Sequence, residues 1–130
     1  MNKNGRPKKT ESGAMKLCES EFNLMCALWE TEPIGSGKFS EHCQNIFGWK
    51  KTTTYTLLKR LSDKGFIKIE NTILTSLVSR DTYLDFDSKD YVNLTFKGSL
   101  PGFLVSFFGG RKISEEQAEA LKKLIDEYKA

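Results

Sequence analysis

Between Trp49 and Ile67 the chain reads WKKTTTYTLLKRLSDKGFI. Lys50, Lys51, Thr52, Thr53, Tyr55 and Thr56 crowd the front of this stretch, and Lys59 and Arg60 follow. Ammonium groups and hydroxyls at such density suit phosphate oxygens, which they meet by direct hydrogen bonds. Threonine and tyrosine side chains also reach base edges, and a threonine methyl packs on a thymine methyl. A helix that only had to pack would favour other residues here, because the branched Cβ of threonine restricts χ1 and makes it a mediocre helix former. The chemistry these types and spacings suit is contact with double-stranded DNA. Lys59 fits a phosphate; Arg60 fits either a phosphate or a carboxylate of its own domain.

No competing chemistry stands out. There is no Ser/His/Asp set and no pair of carboxylates at catalytic spacing. Gly35, Gly37, Gly109 and Gly110 are not followed by the GK[ST] of a phosphate-cradling loop. His42 and Cys43, with Cys18 and Cys26, lack the close ligand pairs of a zinc site, and a lone cysteine behaves as a small apolar residue. The sequence therefore predicts no enzyme, no metal and no cofactor. The three cysteines are odd in number and form no CxxC pair, which predicts no disulfide framework and a reducing cytoplasm. The N-terminus lacks an apolar core of signal-peptide type, and no apolar run approaches membrane-spanning length, so neither a signal peptide nor a membrane partner is expected.

Charge is modest in total, +3 over 130 residues, but unevenly placed. Residues 1–10 carry Lys3, Arg6, Lys8 and Lys9 and no acid. Residues 49–68 carry six cations against Asp63 alone. The remainder is acidic on balance. Concentrated positive charge on such a body is the electrostatic footprint of a nucleic-acid binder.

The elements that must position the basic stretch follow from periodicity. Residues 1–14 are polar, basic and Gly/Pro-containing, and read as a disordered arm. Its Gly5-Arg6-Pro7-Lys8 fits either a minor-groove hook or a solubilising tail. Leu17, Phe22, Met25, Cys26, Leu28 and Trp29 recur at helical spacing and predict a helix over about 19–31, ended by Pro33. Ser36 is the expected N-cap of a second helix with Phe39, Cys43, Ile46 and Phe47 inward, stopped by Gly48. In the third helix, about 51–63, Thr54, Leu57, Leu58 and Leu61 form the apolar face, and Gly65 stops it. The period then shortens to about 2, and Asn71-Thr72 reads as the turn of a short β-hairpin. Three helices and a hairpin, the third helix basic, is the order of a winged helix-turn-helix domain over 15–78.

Residues 79–130 read as helical. Ser79 caps RDTYLDF, SKDYVNLTFKG follows, and Ser99 with Pro101 at the first helical position opens LPGFLVSFFGG. Ser114 and Gln117 form a capping box for the last helix, with Ala118, Leu121, Ile125 and Tyr128 on one stripe. Phe103, Leu104, Phe107, Phe108, Leu121 and Ile125 are more large apolar groups than a lone short subdomain hides, so this half is expected to dimerise. The fold class expected is thus mainly α with a small β-hairpin: a winged helix-turn-helix domain, then a helical dimerisation region.

This order of segments resembles the penicillinase-repressor (BlaI/MecI/CopY) family of bacterial regulators, from about Leu17 to Tyr128. The family's opening, roughly SEAEWEVMxxLW, is matched by CESEFNLMCALW; its recognition segment, roughly WSYTTVKTLLNRLxxKGxL, by the stretch quoted first. Ser76-Leu77-Val78 matches the end of the family's wing, and FKGSLPGFLVSFFGGRKISEEQAEALKKLI matches its tail. The resemblance implies a homodimeric repressor on a short palindromic DNA operator, in a family that often controls antibiotic-resistance genes. It also implies a regulatory protease as partner. There the chain departs, with Ser106-Phe107 where the best-known members carry a cleaved Asn-Phe pair. Phe22 replaces a tryptophan, the wing KIENTILT is short and without aromatics, and the end LIDEYKA lacks the cysteines of copper-responsive members. The rival from another class is a winged-helix protein-interaction module that has lost DNA binding, against which Lys50, Lys51 and Lys59 stand.

Overall fold

A computed structural model describes residues 15–130. The basic arm over 1–14 lies outside the described residues. The chain divides into two units between Ser88 and Lys89.

The first unit begins with α1 (Glu19–Thr31). Its backbone leads in from an extended Cys18, whose N–H donates to Glu21 Oε1 at 2.9 Å. Leu24, Met25, Ala27 and Leu28 are buried along one face, as the apolar spacing requires. The Glu32 N–H closes the last turn on Leu28 O, and the chain then runs extended toward Pro33. Next comes β1 (Ile34–Gly35), which pairs antiparallel with a later strand, Ile34 opposite Leu74 and Gly35 opposite Ile73. The period-2 pattern of the sequence marks only the hairpin that follows later. Two residues are too few to show a period of 2, so this strand is visible only in the fold.

α2 (Ser36–Phe47) starts where β1 ends. Its N-cap is Gly35, not the expected Ser36. Gly35 is still in the sheet, and Ser36, whose N–H donates to Thr72 O at 2.8 Å, is the first helical residue. Phe39, Ser40 and Cys43 are buried, but Ile46, expected inward, is 50% exposed. At 100° per residue it falls on the edge of the stripe that Phe39, Ser40 and Cys43 define. Gly48 ends the helix in the left-handed region at φ 73°, where a side chain would be strained.

α3 (Lys51–Asp63) buries Thr54, Leu57, Leu58 and Leu61, the four residues of the expected apolar face. Gly65 follows at φ 85°. β2 (Ile67–Glu70) and β3 (Ile73–Ser76) form the hairpin, with Asn71 and Thr72 both at positive φ, the twist that suits a two-residue connection. The sheet order is β1-β3-β2, all antiparallel. Glu32 ties α1 to this sheet, accepting from Ser76 N at 2.6 Å and Ser76 Oγ at 2.8 Å. Trp29 Nε1 donates to Val78 O at 3.0 Å, which fixes the exit from the wing.

α4 (Arg80–Phe96) is one continuous helix, although its sequence reads as two segments. Ser79 Oγ accepts from Thr82 N and caps it. The expected boundary after Val78 marks the end of the wing, but the first compact unit continues to Ser88. The reason is Tyr83. It is buried, its ring lies about 6 Å from those of Phe22, Phe66 and Phe86, and its hydroxyl accepts from Leu17 N at 3.0 Å. Leu17, Leu24, Leu28, Phe39, Leu58, Leu61, Phe66 and Tyr83 belong to one continuous core.

The second unit holds the end of α4, α5 (Leu100–Phe108) and α6 (Glu115–Tyr128). Ser99 Oγ accepts from Gly102 N at 3.0 Å and caps α5, while Pro101 occupies the second helical position, one later than expected. A Cβ on Gly102 would sit 3.0 Å from Ser99 Oγ, so glycine keeps the cap close. Ser114 Oγ accepts from Gln117 N at 3.1 Å and caps α6. Phe103 packs edge-to-face on Tyr91 and Phe96. No residue of α5 or α6 is buried.

Candidate nucleic-acid interface

α2 and α3 are joined by residues 48–50, with the rings of Phe47 and Trp49 stacked at 4.4 Å across the turn. The buried stripe of α3 fixes what the opposite side presents. Steps of 4, 3 and 4 residues place Thr52, Thr56, Lys59 and Asp63 opposite Thr54, Leu57, Leu58 and Leu61. Thr52, Thr56 and Lys59 are exposed there, with Tyr55 on one flank and Thr53 and Arg60 on the other.

At the start of α3, Lys50 is the N-cap residue, in extended backbone, and no side chain caps the helix. The first-turn N–H groups are therefore left to an outside acceptor, and the helix dipole adds positive potential at the same end. Among the described residues no carboxylate lies within ion-pair distance of Lys50 or Lys51. Lys51 Nζ sits 6.0 Å from the Tyr55 ring centre, and the Tyr55 hydroxyl donates to Ser36 Oγ at 3.4 Å. That hydrogen bond links α3 to the first residue of α2. Lys59 pairs with Asp63 at 3.4 Å, both well exposed.

Arg60 turns elsewhere. Its NH1 lies 3.6 Å from Glu21 Oε2, on α1, and Lys64 Nζ lies 2.9 Å from Glu21 Oε1. Glu21 is 2% exposed. Burial pushes its carboxyl up, but the Cys18 N–H and the Lys64 ammonium outweigh that and hold it below the ordinary value. The sequence reading did not single Glu21 out. A signal existed: Leu17, Glu21, Leu24 and Leu28 recur at 4-3-4 spacing, so an acid occupies a core position.

Behind the exposed face, Thr54 Oγ1 is fully buried beside the Cys43 thiol. Burial pushes that thiol up to about 11, the Thr54 hydroxyl opposing the shift. Cys43 is thus an inert packing group at physiological pH. Among the described residues no group of three His, Cys, Asp or Glu side chains could hold a metal. No described helix is long and apolar enough to cross a membrane.

In the second unit, α5 and α6 line an apolar groove of about 430 Å³. Phe103, Leu104, Phe107, Phe108 and Leu121 line it, as does Leu124, which the sequence reading did not single out. Ile125, which it did, is not among the lining residues and is 53% exposed. Ser106 and Phe107 are both exposed on α5.

Three helices, a three-stranded antiparallel wing and an exposed basic helix after the turn define a winged helix-turn-helix protein, here with a helical unit appended. The profile of the penicillinase repressor family matches residues 17–127, and the chain belongs to that family of repressors. It is similar to methicillin resistance regulatory protein MecI of Mammaliicoccus sciuri, of Staphylococcus aureus strain N315 and of Staphylococcus epidermidis. Each is 26% identical over 115 residues, which span 85% of this chain and 94% of the relative.

Proposed function

We propose that this protein is a DNA-binding transcriptional repressor that acts as a homodimer on a palindromic operator. The observation that carries the reading is the outward stripe of α3, which presents Thr52, Thr56 and Lys59 beyond an N-terminus where Lys50 and Lys51 have no carboxylate partner among the described residues. Such a helix fits a major groove, with its N-terminal residues at base edges. Lys50 and Lys51 neutralise phosphates, Lys59 joins them by leaving a weak surface pair, and Thr52, Thr53, Tyr55 and Thr56 meet the bases. Thr52 and Thr53, one residue apart, diverge by about 100° and meet different parts of the groove wall.

The groove between α5 and α6 supports the homodimer. Its phenylalanines and leucines are covered when a second copy supplies the same surface, and a two-fold protein matches a palindromic site. The methicillin-resistance role named for its relatives points to antibiotic-resistance genes as the controlled class. Such a repressor works in the cytoplasm, where the DNA is. Binding to the DNA upstream of the protein's own gene and to a random duplex, across a salt series, tests the reading. Affinity for both should fall steeply with salt, with a preference for the upstream DNA. A protein that binds neither is an interaction module that has kept only the fold.

A further inference from the structure

The six cations of residues 49–68 do not face the same way. Lys50 and Lys51 have no carboxylate within reach among the described residues, and Lys59 meets only an exposed one. Arg60 and Lys64 converge on Glu21, which is buried and uses both carboxylate oxygens. Oε1 takes the Cys18 N–H and Lys64; Oε2 faces Arg60. Lys64 also donates to Lys16 O at 3.4 Å, so it is held from two sides. The exposed Lys59–Asp63 pair yields readily to a phosphate, whereas a pair with one member buried in a medium of low dielectric does not.

We propose that Glu21 is a specificity-determining positioning residue: it holds Arg60 and Lys64 on the protein side of α3, so that DNA is gripped by the N-terminal end and outward stripe of that helix without them. The proposal rests on the reading of α3 as the DNA-contacting helix. Its physical basis is the difference between two kinds of affinity. Non-specific binding grows with every phosphate neutralised, whatever the sequence. Discrimination depends on how far the specific contacts exceed that background. Arg60 lies on the same flank of α3 as Thr53, two turns further on, and is half exposed. Released, it would reach backbone along that flank and raise the background. Retained, it leaves the register of the helix to Lys50, Lys51 and the threonines. Glu21 simultaneously ties the last turn of α3 to the first turn of α1, which sets the angle at which the front of α3 is presented.

The test uses the full chain and a random duplex, with affinity measured over a salt series for wild type, Lys51→Ala, Arg60→Gln, Lys64→Gln and Glu21→Gln. Lys51→Ala should lower the salt slope by about 0.9, the value of one phosphate contact. Arg60→Gln and Lys64→Gln should leave it unchanged, because neither cation is on the DNA. Glu21→Gln should steepen it by roughly 0.9 to 1.8 and tighten random-duplex binding, as one or both cations are released. A slope that drops for Arg60→Gln or Lys64→Gln as it does for Lys51→Ala overturns the proposal, and so does a folded Glu21→Gln with the wild-type slope. Should Glu21→Gln fail to fold, the two cation variants decide. A wild type with no salt-dependent affinity for any duplex overturns the reading of α3 itself, and this inference with it. Wild-type binding with a flattened Arg60→Gln slope overturns the role of Glu21 alone.

Discussion

Leu24, Leu28, Phe39, Leu61 and Phe66 of the first unit are wholly buried, whereas no residue of α5 or α6 is, although α5 reads LPGFLVSFF. Both units are mostly helical and both carry phenylalanines, so composition does not separate them. Closure does. In the first, α1, α2 and α3 and a three-stranded sheet enclose one core, and polar ties such as Glu32 to Ser76 and Tyr83 to Leu17 hold its ends. In the second, Phe107 is 61% exposed and Tyr128 81%, and the capped ends of α5 and α6 fix helices whose apolar sides are only partly covered by the described residues. The contrast teaches that the first unit closes a core of its own, whereas the second leaves its large apolar groups half-buried or exposed.

The largest effects should come from breaking the closed unit. Leu58→Ala should destabilise it by roughly 2–5 kcal/mol, since the side chain is almost fully buried, and thermal melting reads the loss. The two truncations that bracket Tyr83 sharpen the comparison. A chain ending after Ser88 should fold as a monomer, while one ending after Val78 loses Tyr83 from the core and should be less stable by about 3–5 kcal/mol, as for other large aromatic deletions. Equal melting of the two would place the edge of the first unit at the wing after all. In the open unit the effect should fall on assembly. Phe107→Asp puts a charge on the groove and should turn dimer into monomer in sedimentation, with the melting of the first unit little changed.

A smaller effect belongs to Glu21. Its folded carboxyl lies below the ordinary value of 4.5, so as pH falls the unfolded chain takes up the proton first. The stability it contributes is complete above 4.5 and is lost as pH falls through the lower folded value. Glu21→Gln should flatten that acid limb of a stability–pH curve. A limb identical to wild type would mean that the carboxylate contributes nothing.

The parts legible in the sequence are those set by local spacing. Leu24, Met25 and Leu28, then Leu57, Leu58 and Leu61, mark their helices because a buried face recurs every three or four residues. Gly48, Gly65, Ser79, Ser99 and Ser114 mark helix ends because a left-handed backbone or an accepting hydroxyl is needed there. What was not legible depends on residues far apart in the chain. β1 exists only because Leu74 and Ile73 lie alongside it, and that pairing displaces the α2 cap to Gly35. The orientation of Arg60 depends on an acid on another helix, and the nearer partner of that acid, Lys64, is 43 residues on. Leu124 lines the groove beside Leu121, a place that the 3-4-3 spacing of α6 does not mark, because it is the packing of α5 on α6 that sets which residues face it.

The central claim is that the front of α3 is where DNA is read, and paired binding of Lys51→Ala and Thr56→Ala tests it most directly. Thr56 is exposed opposite the buried stripe, so alanine should not harm folding there. Affinity for operator and random duplex is measured for each variant at several salt concentrations. The account predicts that Lys51→Ala weakens both duplexes alike and lowers the salt slope by about one unit. It predicts that Thr56→Ala weakens the operator preferentially, by roughly 1–3 kcal/mol, and leaves the slope as it was. Wild-type affinity and slope in both variants, on both duplexes, would contradict it.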